Sequence, residues 1–378
     1  MKKIIAVILA LCLAMSTGIT AFAQDKKVTS AELMKELQGA ADYLSKDSYT
    51  VDDALNLYYL VSSGAEVKNV DSFVKAVKDN LAANDGKLIT SYGENLTSYA
   101  AAIQIMMNTD ISDDNTFLTL INSFGKMDPT VLPDSPYYYN VIIPASIFVE
   151  DESFGKKLCD TLLKNYYVKG QGMDYYGFSC DNTAYLISAL SVYSFDYEDV
   201  ISDCLKVLEN YKVDGGYCFS KEYGTAPNAD STALALMAYS SVYLSSDTVD
   251  ENEIKAVCDE IYNDLTAFKG SKTGVYTYMN DGDNAYATAD ALRGISLYYT
   301  VVAIDELLSD LDNIDEETKP AEDETTSTEP EVTKEKDTSK AKAVKKSPAT
   351  GDNIFGAAFG VALCAAALAV MTAKKKDN

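Results

Sequence analysis

Between residues 28 and 304 the chain alternates two patterns of hydrophobic and polar positions. In SAELMKELQGAADYL, VDSFVKAVKDNLAA, ESFGKKLCDTLLKNYY and NEIKAVCDEIYNDLTAF, apolar residues recur three and four apart with lysines and acids between them. That spacing predicts amphipathic helices. The second pattern, as in TALALMAYSSVYL, is apolar nearly all round and predicts helices buried on every side. Thr29 to Glu32 and Thr248 to Glu251 read as capping boxes that start two of the amphipathic helices.

The two patterns repeat together roughly every 50 residues, a period that marks repeat architectures. CDNTAYLISALSVY from Cys180, NADSTALALMAYSS from Asn228 and AYATADALRGISLY from Ala285 are the clearest copies. Their Thr183-Ala184, Thr232-Ala233 and Thr288-Ala289 coincide, and a small residue follows at Ala189, Ala238 or Gly294. Weaker copies begin at Val51, Glu94 and Tyr139. One-sided helices outside and all-sided helices inside make an all-α domain, an (α/α)6 toroid of six helical hairpins. An open superhelical solenoid is the other arrangement the pattern allows.

The ends of the chain change the picture. Residues 1–23 carry Lys2 and Lys3, an apolar core and a small-residue Ala21-Phe22-Ala23 end, which is the order of a secretory signal peptide. No aromatic residue occurs between Tyr299 and Phe355, and residues 305–346 turn acidic and then basic, a composition that predicts a disordered, charged linker. Residues 354–373 are apolar enough for one transmembrane segment and are followed by three lysines. Just before them, Ser347-Pro348-Ala349-Thr350-Gly351 resembles the LPxTG sorting signal of Gram-positive surface proteins, with Ser347 where the family has Leu. The resemblance implies a sortase that cuts after Thr350 and joins it to peptidoglycan. The expected location is therefore the outer surface of a Gram-positive cell wall, with membrane contact only through 354–373 before sorting.

Composition then removes whole classes of chemistry. The chain has no histidine, so Ser–His–Asp and Cys–His catalysis and imidazole zinc sites are excluded. Its net charge of −25 opposes nucleic acid and anionic lipid. Arg293 is the only arginine, so no arginine cluster exists to grip phosphates. No cofactor and no metal are expected; NDGDN at 280–284 lacks the ligand spacing of an EF-hand loop. Cys159, Cys204 and Cys258 sit at matching repeat positions and read as core residues, while Cys180 and Cys218 fall near loops where pairing stays open.

Glycine-aromatic loops lead into the small-residue inner helices, best seen in VDGGYCF at 213–219 followed by NADSTALAL. In this the chain resembles the prenyltransferase and squalene-oxidase repeat of terpenoid cyclases, most strongly over residues 169–299. The resemblance implies an α/α toroid. Class II cyclases protonate an alkene or epoxide with the central acid of an Asp-x-Asp-Asp-Thr-Ala segment. Here that segment is Asn228-Ala229-Asp230-Ser231-Thr232-Ala233, which keeps the central acid as Asp230 and loses both flanking acids. The family's tryptophan-rich lining is missing too, because the chain has no Trp. The zinc site of protein prenyltransferases cannot be assembled without histidine.

Asp230 is read first as a helix cap, since a carboxylate at a helix start accepts backbone N–H groups. A ligand contact and an acid catalyst are the other readings. Tyrosines recur in the loops feeding the inner helices, where rings and polar edges suit sugars or other ring-bearing ligands. The expected ligand contacts at the mouth are Asp181, Tyr217, Tyr223, Asn228, Asp230, Tyr276 and Asp283. Taken together, these residues describe a wall-anchored protein displaying a toroidal domain that binds a small molecule, glycan or protein, without catalysis. A divergent class II terpenoid cyclase using Asp230, similar to squalene–hopene cyclase, is the enzyme alternative. A carboxylate-based glycan hydrolase is the second.

Overall fold

The computed structural model describes residues 27–108, 114–246 and 249–317. The expected signal peptide, the expected sorting signal with its transmembrane segment, and most of the expected charged linker lie outside the described residues. Among the described residues no helix is long and apolar enough to cross a membrane.

Twelve α-helices alternate between the two predicted kinds. The odd-numbered ones are one-sided: α1 (Ser30–Leu44), α3 (Val70–Ala83), α5 (Asp114–Phe124), α7 (Glu152–Tyr166), α9 (Ser194–Glu209) and α11 (Glu251–Leu265). In α3, for example, only Phe73, Val74, Val77 and Leu81 are buried, which is one apolar stripe. The even-numbered ones form an inner layer: α2 (Ala54–Ser62), α4 (Leu96–Asn108), α6 (Tyr139–Ala145), α8 (Cys180–Leu190), α10 (Ala229–Ser245) and α12 (Ala285–Glu317). In α10 nearly every residue from Ala229 to Tyr243 is buried. Each inner helix packs on the next in chain order, and α12 packs back on α2 and on α1. The result is a toroid-like arrangement of helices.

The repeat has a local cause. Thr183, Thr232 and Thr288 each donate from Oγ1 to the carbonyl of the residue capping their own helix, Ser179, Asn228 and Asn284 (2.9, 2.7 and 2.7 Å). Thr232 and Thr288 also accept the backbone N–H of Tyr217 and Tyr276 at 3.0 Å, which clamps the preceding loop onto the inner helix. That loop turns as short hairpins, β1 (Tyr167–Val168) with β2 (Gly172–Met173) and β3 (Lys212–Val213) with β4 (Gly216–Tyr217). Gly216 has φ +134°, and a Cβ there would come within 2.5 Å of Thr232 Oγ1, so the clamp requires glycine.

Ring closure uses a buried carboxylate. Glu36 of α1 accepts hydrogen bonds from the hydroxyls of Tyr262 (2.9 Å) and Tyr276 (2.6 Å) and pairs with Lys269. Two expectations need correction at this level. The capping box holds at Thr29 and Glu32, but α11 is capped by Asp250, which accepts from the N–H groups of Asn252 and Glu253. The folded domain does not end at residue 304, because α12 runs to Glu317. Ile304 and Leu307 prolong the apolar face, Asp305 pairs with Lys27 and Lys255, and Glu306 takes Ser30, so the first acids of the expected linker are held by basic and hydroxyl partners. Cys159, Cys204 and Cys258 are buried core residues as read, while Cys180 and Cys218 are also buried, and all five are unpaired thiols.

Candidate functional site

All described connections from an outer to an inner helix lie at one end of the ring, and hydrogen bonds link them round that end. Ser91 N–H donates to Asp52 (2.8 Å), the Tyr137 hydroxyl to Asn182 Oδ1 (2.5 Å), Cys180 N–H to Phe219 O (3.0 Å) and Ala229 N–H to Tyr278 O (3.0 Å). Asp181 and Asp230 stand in the first turns of two inner helices at this end.

Arg293 is the centre. It pairs with Asp290 three residues before it on α12, and its Nη1 donates to the Tyr185 hydroxyl at 3.1 Å. Its guanidinium lies 4.1 Å from the ring centre of Tyr59, a cation–π contact from the opposite side of the α12–α2 junction. Tyr137 stacks on Tyr185 at 4.4 Å, with rings tilted by 21°. Arg293 and Asp290 keep 18% and 15% of their side-chain surface open, so the pair is deep but reachable from solvent. Arg293 Nε has no hydrogen-bond partner among the described residues.

Two further aspartates face this pair from the first turns of α8 and α10. Asp181 accepts a hydrogen bond from Ser231 Oγ at 2.7 Å. Burial pushes the Asp181 carboxyl up to about 7, reinforced by the charges of Asp290 and Asp230 and opposed by Ser231. Burial also pushes Asp230 up to about 7, with Asp290 adding to the shift and Arg293 opposing it. Both groups are therefore poised between neutral and charged near neutrality. Burial raises the Asp290 carboxyl against the pull of Arg293 beside it.

The cap reading of Asp230 does not hold. Asn228 is the N-cap of α10, accepting from Ser231 N–H at 2.9 Å, and Ser179 does the same for α8 through Asn182 N–H. Asp230 and Asp181 each stand two residues past the cap, so their carboxyls are free of that duty. Asp230 Oδ1 is buried without a hydrogen-bond partner. The two neighbours that would tune a cyclase acid are engaged elsewhere, Asn228 on the helix end and Ser231 on Asp181.

The other expected mouth residues disperse. Tyr217 and Tyr276 are fully buried between the helical layers, because the threonine clamp turns each ring away from the centre. Asp283 is tied to the N–H (2.8 Å) and hydroxyl (2.5 Å) of Ser271, and these hydrogen bonds hold its carboxyl below the usual range. Tyr223 is 55% exposed on the same face as the cluster. Sequence reasoning missed Tyr59, Tyr137, Tyr185, Asp290 and Arg293 as a group. The available signal was a charged pair three residues apart inside the apolar AYATADALRGISLYY, including the chain's sole arginine. Among the described residues no group of His, Cys, Asp and Glu is placed to hold a metal ion.

These features define an all-helical, toroid-like protein with a tyrosine- and carboxylate-lined centre. Among solved structures the chain is similar to a polysaccharide lyase, at 12% identity and a TM-score of 0.51, over 74% of this chain and 98% of that one. At that identity the likeness shows the fold alone. No protein-family model and no curated protein matches the chain.

Proposed function

We propose that the described helices form an (α/α)6 toroid whose centre binds a glycan without catalysis, on a protein displayed at a Gram-positive cell surface. The observation that carries the binding reading is the cluster of Asp181, Asp230, Asp290 and Arg293 among the rings of Tyr59, Tyr137 and Tyr185. Sugars present apolar ring faces and polar edges, and tyrosines beside carboxylates and a guanidinium complement both. The similar solved structure is described as a polysaccharide lyase, which agrees with a glycan ligand for this fold. Soluble oligosaccharides should bind the purified protein in calorimetry, with no new reducing ends and no unsaturated sugars released on long incubation. Absence of binding across neutral, cationic and anionic glycans would sink the reading.

A hydrolase is the second reading, and one observation favours it: Asp181 and Asp230 both titrate at about 7, the range suited to general acid–base work. Release of reducing sugar in the same incubation, lost in Asp230→Asn, would replace the binding reading with this one.

Surface display rests on the sequence alone. A signal peptide at 1–23 and the Ser347–Gly351 motif before 354–373 make sortase and peptidoglycan the covalent partners, through Thr350. Thr350→Ala should shift the protein from the muramidase-released wall fraction to the membrane; an unchanged distribution would defeat the sortase assignment.

A further inference from the structure

We propose that the ligand is a glycan chain bearing free amino groups, laid across exposed apolar side chains at the N-terminal end of the inner ring with an ammonium at Asp230. The inference rests on the glycan-binding reading and narrows it to one charge class.

The exposed side chains come first. Five of the six outer-to-inner connections carry an exposed large apolar residue: Tyr92, Leu132, Tyr176, Tyr223 and Met279. Tyr286 in the first turn of α12 adds another at 82% exposure. Among the described residues the other exposed large apolar side chains are Val131, beside Leu132, and Tyr43, Leu118, Phe195 and Leu308, which lie on helices. Tyr176 is the most exposed, at 91%, with φ of 55° and its ring 4.6 Å from that of Tyr175. A left-handed backbone is unfavourable for tyrosine, and here the conformation holds a ring out in solvent. Such a rim surrounds the central cluster on one face, so a chain of several sugar rings can touch both, whereas a single small molecule in the centre would leave the rim unused.

Charge selects among glycans. Asp230 and Asp290 lie beside a single guanidinium, with Asp181 next to both carboxyls, and Nη1 of that guanidinium is already committed to Asp290 and Tyr185. Asp281 adds a fourth carboxylate near Asp230, with the Tyr278 hydroxyl close to both. A polyuronate would set its several carboxylates against this group, with only the unpaired Arg293 Nε–H to answer them. Neutral hydroxyls would leave the excess charge uncompensated. An ammonium brings three donors and a positive charge to the half-buried Asp230 carboxylate, whose Oδ1 has no partner to offset its charge.

The test is calorimetric titration of the purified protein with matched oligomers of glucosamine, N-acetylglucosamine and galacturonate. Glucosamine oligomers should bind about tenfold more tightly than the acetylated ones, as expected for a gained charge-assisted hydrogen bond. Galacturonate should not bind. Asp230→Asn should equalise the first two while the melting curve is retained, and Tyr176→Ala should weaken both alike. Tight galacturonate binding, or an amine preference that survives in Asp230→Asn, overturns the inference and leaves glycan binding standing. Failure of all three oligomers removes the underlying reading as well.

Discussion

Arg293→Ala should lower folding stability by about 3 kcal/mol and abolish glycan binding. The figure follows from the asymmetry of buried ion pairs: removing one partner leaves the other charge uncompensated, which costs about 3–5 kcal/mol. The small solvent opening at Arg293 and Asp290 places the expected value at the low end. Three groups lose a partner together, namely the Asp290 carboxylate, the Tyr185 hydroxyl and the Tyr59 ring face. Arg293→Lys should recover part of the stability through charge but little of the binding, because an ammonium cannot span Asp290 and Tyr185 while lying flat on Tyr59. Urea unfolding and calorimetry on the same preparations read both effects. A stability loss below about 1 kcal/mol would show that the pair behaves as an exposed one.

Gly294→Val should cost roughly 3 kcal/mol through a different mechanism. Here α12 crosses α10 so closely that a Cβ on Gly294 would lie 2.3 Å from the carbonyl oxygen of Ala233. The obstacle is backbone inside a helix, so no side-chain rotation relieves it, and the two helices must separate. Separation at that crossing moves Asp230 on α10 relative to Asp290 and Arg293 on α12. Glycan affinity should therefore fall in proportion to the structural shift, while Ala238→Gly, which opens space at the matching position of α10, should leave the Asp–Arg cluster in place. Denaturant unfolding of Gly294→Val measures the first effect; a loss under about 1 kcal/mol would mean that the crossing yields at little cost.

The same glycine shows how much was legible beforehand. Ala189, Ala238 and Gly294 stood out as a shared small position in the repeat copies, and in the structure Ala189 and Ala238 are buried and Gly294 meets a neighbouring backbone. Thr183, Thr232 and Thr288 also stood out, and their hydrogen bonds to the cap carbonyls explain the coincidence. Asp181 and Asp230 were marked because they open inner helices. Tyr217 and Tyr276 lie in the loops feeding those helices and belong to the core, since a loop position does not reveal which layer its side chain enters. Arg293 and Asp290 were passed over because a helix apolar on all sides offers no face by which to orient them.

By itself the sequence determined the succession of one-sided and all-sided helices, their period, and the excess of carboxylates over cations. These properties are local or compositional: helical periodicity is set within a few turns, and charge is a count. Only the tertiary structure decided that Tyr59 of α2 meets Arg293 of α12, and that Asp230 and Asp290 converge on that cation with Asp181 beside them. Those contacts depend on closure of the inner layer, which brings the first and last inner helices together. Periodicity carries each helix's face only relative to its own axis; packing against both neighbours sets the absolute rotation that points a carboxylate to the centre or a tyrosine into the wall.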